Sequence, residues 1–142
     1  MERASAARDG RRLAIEETLQ CLFAAAPAEA AAVYLYGSVA RGTHGAKSDV
    51  DVAVLLGRDP APGWAGLPLA LEGRLERALG RPVQLVVLER APLDLVHRVL
   101  RDGRLVWEAD RAARVRFEVR ARREYDDLRP HLRRYRRLDA MP

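Results

Sequence analysis

Two short apolar runs set a fixed distance apart limit what this chain can fold into. Val33-Tyr34-Leu35-Tyr36 is rich in strand formers and stops at Gly37-Ser38. Ten residues later Asp49 leads into a second run, Val50-Asp51-Val52-Ala53-Val54-Leu55. Both read as strands. Between them, Val39 to Gly42 begins a helical turn and Thr43 to Lys47 forms a loop. Residues i and i+2 of a strand point to one face, so Asp49 and Asp51 lie side by side at the start of the second strand.

The remaining pattern supplies helices and two more strands. Residues 10–26 carry a helical stripe that includes Leu13, Ala14, Leu19, Leu22 and Phe23, and Pro27 ends it. Asp59-Pro60-Ala61-Pro62-Gly63 is a turn-rich connection. Residues 64–79 repeat Leu67, Leu71, Leu75 and Leu79 at helical spacing, with Gly80 as a C-cap. Val83 to Leu88 is almost wholly apolar, which predicts a strand at the centre of a sheet covered on both faces. Pro92 starts another helix through Leu100. Asp102-Gly103 turns the chain into a short strand at Leu105-Val106-Trp107. A last helix runs from about Asp110 to Asp127 with Val115, Val119 and Phe117 inward, and Pro130 interrupts it. The fold class is therefore α/β (α+β): a small mixed β-sheet packed by helices, with a C-terminal helix.

Charge divides the chain unevenly. The formal net charge is +5, yet residues 111–142 hold eleven Arg against five acids. We read residues 1–110 as the catalytic-type domain and 111–142 as a basic helical extension packed on it. Such an extension fits a nucleic acid, an acidic protein partner, or a solvated helix face. No apolar run reaches the roughly 18 residues of a membrane span, and Met1-Glu2-Arg3 opens a charged segment, so the expected location is cytoplasmic. Cys21, the single cysteine, reads as a buried small hydrophobe beside Leu22 and Phe23.

The polar interval carries chemistry. A glycine lets a phosphate approach the backbone, and N–H groups at a helix start, with the Ser38 hydroxyl, suit phosphate oxygens. Two carboxylates on one strand face beside that cradle suit Mg²⁺ (or Mn²⁺) against a triphosphate. Such a metal neutralises charge on a leaving pyrophosphate.

Gly37-Ser38, ten residues, then Asp49-Val50-Asp51 resembles the signature of the polymerase-β-like nucleotidyltransferases. The fuller stretch from Gly37 to Thr43, with Lys47-Ser48-Asp49, is similar to their minimal (MNT) branch. Gly80-Arg81-Pro82-Val83, Arg90-Ala91-Pro92, Arg98 to Glu108 and Arg122 to Leu128 look like the MNT antitoxins of HEPN/MNT toxin–antitoxin systems. The resemblance spans about residues 30–130. It implies AMP transfer from ATP to a tyrosine hydroxyl of a HEPN ribonuclease toxin held in a hetero-oligomer. Gly37 and Ser38 would bind the triphosphate, and Asp49 and Asp51 the metal. Arg41, Lys47 and Ser48 would contact phosphate or order the loop. The family supplies a third carboxylate from the next core strand, and here that position is Gln84, which cannot take a proton. Glu89, the nearest acid, has the opposite strand parity and would serve only from a bulged or shortened strand.

Two readings of function follow. One is a Mg²⁺-dependent protein adenylyltransferase. The other is an MNT-fold binding module that neutralises its toxin by direct contact. Nucleotidylation of small antibiotics needs a substrate domain for which the chain is short. Sequence-specific DNA binding lacks a helix-turn-helix signature. Of the other polar and aromatic residues, His44 reads as an exposed loop residue, Tyr34 and Tyr36 as sheet packing, and Trp64 as surface packing or a neighbour of the site. His97 and His131 have no partners at zinc spacing.

Overall fold

The computed structural model describes residues 2–26, 30–58 and 66–139. Pro27, the 59–63 turn and Trp64 lie outside the described residues. In chain order the elements are α1 (Glu2–Ala25), β1 (Ala32–Tyr36), α2 (Gly37–Arg41), β2 (Val50–Leu55), α3 (Gly66–Leu79), β3 (Val83–Val87), a 3₁₀ turn (Leu88–Arg90), α4 (Leu93–Asp102), β4 (Arg104–Glu108) and α5 (Arg111–Asp139). The four strands form one mixed sheet in the order β3-β2-β1-β4. β1 runs antiparallel to both β2 and β4, while β2 and β3 are parallel. None of the described helices is long and apolar enough to cross a membrane.

Strand alternation feeds two cores, one on each face of the sheet. Val33, Leu35, Val50, Val52 and Val54 meet Ile15, Leu19 and Phe23 of α1 and Leu71 and Leu75 of α3. Tyr34, Tyr36, Ala53 and Leu55 meet Val96 and Val99 of α4 and Ala113, Phe117 and Ala121 of α5. Every residue of β1 is buried, as expected of a central strand with helices on both sides.

β3 departs from expectation. Its apolar sequence predicted a central position, yet it is an edge strand with Gln84 exposed and Leu85 and Val86 half-buried. Its edge is covered by side chains. The Val83 and Leu85 N–H groups donate to the Glu76 and Glu72 carboxylates of α3, at 3.2 and 3.1 Å. Pairing by these acids satisfies backbone donors that an edge strand otherwise leaves open.

The helix faces also needed correction. The inward stripe of α1 is Ile15, Leu19 and Phe23, which leaves Leu13 and Cys21 exposed. Cys21 lies two residues from each of Leu19 and Phe23, about 200° around the helix. In α5 the inward positions are Ala113, Phe117 and Ala121, and Val115 and Val119 are 42% and 41% exposed. Phe117 sets the phase, because four-residue steps from it reach two alanines small enough to lie close to the sheet. Pro130 does not break α5, which runs on to Asp139. Both Pro130 and Asp126 are exposed, so water can bond the Asp126 carbonyl that the missing N–H leaves open. α5 is held to the sheet by a polar chain as well. The Tyr34 hydroxyl donates to Glu118 at 2.6 Å, and Arg114 pairs with both Glu118 and Glu108.

The helix phase is open to direct measurement. Phe117→Ala is expected to lower the unfolding free energy by about 3 kcal/mol or more, and Val119→Ala by no more than about 0.5 kcal/mol. Urea denaturation of the two variants checks this, and the reverse ranking would contradict the observed face.

Candidate nucleotide and metal site

β1 ends at Tyr36, and the chain turns directly into α2 at Gly37. Gly37 has φ +72°, in the left-handed region that glycine tolerates. A Cβ there would collide with the Asp51 carboxylate oxygen Oδ2. Glycine is therefore required twice, by backbone conformation and by the carboxylate lying against its α-carbon.

The helical turn is closed at Gly42, whose N–H bonds the Val39 carbonyl at 3.2 Å, and at Thr43, whose N–H bonds the Ser38 carbonyl at 3.0 Å. The following loop is tied by Ser48. Its hydroxyl accepts the Gly45 N–H at 2.8 Å, and its own N–H donates to the Gly45 carbonyl at 3.3 Å. Ser48 thus orders the loop that delivers Asp49. Ser38 is half-buried at the start of α2, Arg41 ends that helix and is exposed, and Lys47 is exposed on the loop.

The strand register brings the chemistry together. Tyr36 lies opposite Asp51 across the β1–β2 pair, and Asp51 lies opposite Gln84 across the β2–β3 pair. Tyr36, Asp51 and Gln84 form one cross-strand row on the sheet face covered further along by α4 and α5. Asp49 is exposed at the open end of that face. Burial raises the Asp51 pKa, the Asp49 charge raises it further, and Arg41 opposes both. The pair repels itself and suits a cation held between the two carboxylates.

Gln84, for which the resemblance implied a third carboxylate, lies directly opposite Asp51. Glu89 does not replace it. β3 pairs with β2 in unbroken register, and Glu89 lies beyond its far end. There the Glu89 carboxylate accepts the Leu56 N–H at 3.0 Å and the Gly57 N–H at 2.8 Å. Among the described residues, no group of three or more His, Cys, Asp or Glu is placed to hold a metal.

Two residues near the site carried no local signal. Arg98 of α4 lowers the Tyr36 pKa, against burial and the Asp51 charge, which raise it. The Arg98 charge therefore lies within electrostatic reach of the row, which it joins only because α4 packs on that face. His44 was expected in solvent and is 1% exposed. Tyr34 and Tyr36 are buried, as sheet packing requires.

Residues 17–112 match the model of the family described as polymerase beta, nucleotidyltransferase. No curated protein matches the chain. Solved structures do. A toxin–antitoxin with AMP-PNP contains a chain 28% identical, with TM-score 0.72, covering 89% of this chain and 98% of that one. A variant MntA–HpeT toxin–antitoxin is similar at 30% identity and TM-score 0.64, covering 80% and 87%. The tri-AMPylated Shewanella oneidensis HEPN toxin in complex with MNT antitoxin is similar at 25% identity and TM-score 0.69, covering 92% and 99%.

The Asp51 geometry gives a signed prediction. Its folded-state pKa lies above its ordinary value of 3.8. The group therefore favours the fold below that pH, and the contribution is lost as pH rises through the folded-state value. At pH 7 the charged form costs stability in the metal-free protein. In chelator at pH 7, Asp51→Asn should melt above the wild-type chain. Mg²⁺ or Mn²⁺ should raise the wild-type melting temperature and leave that of the variant unchanged. A variant that melts lower in chelator would contradict the repulsion.

Proposed function

The chain belongs to the polymerase-β-type nucleotidyltransferases, and from that membership we propose that it is the MNT antitoxin of a HEPN toxin, transferring AMP from ATP to a toxin tyrosine. The observation that carries the reading is the packing of Gly37 against Asp51. It puts a helix start, with free N–H groups, beside a same-face carboxylate pair.

In this reading the Gly37 and Ser38 N–H groups and the Ser38 hydroxyl hold triphosphate oxygens. Arg41 and Lys47 add positive charge at the mouth, and Ser48 keeps the loop in place. Asp49 and Asp51 would hold a divalent cation (Mg²⁺ or Mn²⁺), which supplies charge neutralisation at the α-phosphate and at the leaving pyrophosphate. The tyrosine oxygen would bond the α-phosphorus as the bond to pyrophosphate breaks, and the hydroxyl proton would pass to solvent water, there being no third carboxylate to receive it. Residues 1–110 would form the nucleotidyltransferase domain and 111–142 a basic extension toward the partner. The pair would work in the cytoplasm. The AMP-PNP complex and the tri-AMPylated toxin among the similar structures support the nucleotide and the acceptor class.

One observation favours a second reading. Gln84 stands beside Asp51, and Glu89 is committed to backbone N–H groups elsewhere. A site short of a proton acceptor suits a module that silences its toxin by binding.

Incubation with labelled ATP, Mg²⁺ and a folded HEPN partner separates the two. The enzyme reading expects label on the toxin, reduced by more than about a hundredfold in Asp49→Asn/Asp51→Asn. Absence of label on a folded toxin would sink it, and a double variant that still protects cells would favour binding alone. Gln84→Asp restores a proton acceptor and is expected to raise the transfer rate by about tenfold or more at neutral pH. An unchanged rate would show that the third position does not limit the reaction.

A further inference from the structure

Beside the loop between Ser38 and Asp49 lie Arg8, Arg11 and Arg81, none of which is seen to pair with a carboxylate among the described residues. His44, midway along that loop, is 1% exposed, and neither ring nitrogen has a hydrogen-bond partner. Burial and the charges of Arg11, Arg81 and Arg8 lower the His44 pKa, and the Ser38 carbonyl opposes them slightly. It makes no bond of proper geometry with either nitrogen, and it accepts the Thr43 N–H instead. Three guanidinium atoms are orphaned in the same way, Arg11 Nε, Arg12 Nε and Arg81 Nη1. Arg81 is anchored to the loop through its other nitrogen, which donates to the Ala46 carbonyl at 2.6 Å.

The arrangement is specific to these positions. Arg8 and Arg11 continue the inward stripe of Ile15 and Leu19 at helical spacing, and both are half-buried. Neighbouring Arg12 differs in having acids beside it: its Nη1 donates to Asp9, and its Nε, though without a hydrogen bond, lies 3.8 Å from Glu16. The charges felt by His44 come from Arg11, Arg81 and Arg8, and among the described residues no carboxylate is seen to offset them. Buried donors without partners are rare because each forfeits its hydration. Several converging on one place, all on cationic or protonatable groups, fit a bound anion. Guanidinium N–H groups are suited to the oxygens of a tetrahedral oxyanion.

We propose that Arg8, Arg11, His44 and Arg81 form a binding site for a phosphate-type oxyanion, separate from the Asp49–Asp51 site. The ligand is inorganic phosphate or the phosphate group of a mononucleotide, which share this chemistry. The proposal does not depend on nucleotidyl transfer. α1 packs on the sheet face opposite the one that carries Asp51, so the anion is held behind the loop and apart from the metal carboxylates.

The test follows the His44 imidazole by NMR in the full chain, with His44→Asn identifying its resonance. Inorganic phosphate and AMP are titrated separately, without divalent metal, to about 10 mM, an affinity range in which simple oxyanion sites are read. The expected result is a saturable shift of the His44 resonance. It should persist in Asp49→Asn/Asp51→Asn and weaken at least about tenfold in Arg11→Gln, the loss of one charge-assisted contact. A shift with phosphate assigns the free anion, and a shift with AMP alone assigns the nucleotide phosphate. Glutamine keeps helix propensity in α1, and Arg8→Gln gives a second variant if Arg11→Gln does not fold. No shift with either ligand overturns the proposal. So does a shift unchanged in both arginine variants, or one lost with Asp49 and Asp51.

Discussion

The Asp51 carboxylate lies against the α-carbon of Gly37, and the rest of the site follows from that contact. It fixes the end of β1 against the start of β2, so the strand register cannot slip by one residue without moving Asp51 to the opposite face. It forces the chain into a left-handed glycine conformation just where α2 begins. It also keeps a half-buried carboxylate beside exposed Asp49, an unfavourable pair in the absence of a cation. Stability is given up locally where the half-buried and the exposed carboxylate share one face.

The surrounding fold offsets that cost. β1 is buried along its whole length and pairs on both sides, and two separate cores press on the sheet. On the site's own face, α5 is fastened by Phe117 and by the Tyr34–Glu118–Arg114–Glu108 chain of hydrogen bonds and ion pairs. Burial and the Glu118 carboxylate raise the Tyr34 pKa, so the phenol stays protonated and keeps donating. Edge strand β3, which carries Gln84, is secured differently. Glu72 and Glu76 occupy its outer N–H groups, and Glu89 anchors the far end of β2. Three glutamates thus serve the backbone around the strand that carries Gln84.

Much of the site was legible because its parts are close in sequence. Gly37, Ser38, Asp49 and Asp51 fall within fifteen residues, and strand parity alone put the two carboxylates on one face. Gln84 comes to lie opposite Asp51 because β3 pairs with β2 without a bulge. Arg98 was not legible. It lies in another helix and approaches Tyr36 only through α4 packing. His44 misled for a similar reason. A glycine-flanked loop suggests solvent, yet the ring is buried, with Arg8 and Arg11 of α1 and Arg81 from beyond α3 in electrostatic reach.

The sequence by itself determined the local order of the chain and the spacing of the candidate site, because turn glycines, strand alternation and a short motif act over a few residues. Tertiary structure decided which faces are covered. It put apolar β3 at an edge, turned Val115 and Val119 outward, left Cys21 in solvent and closed His44 in among arginines. Each of these depends on what packs against a segment from a distance, and no local pattern of residues encodes that neighbour.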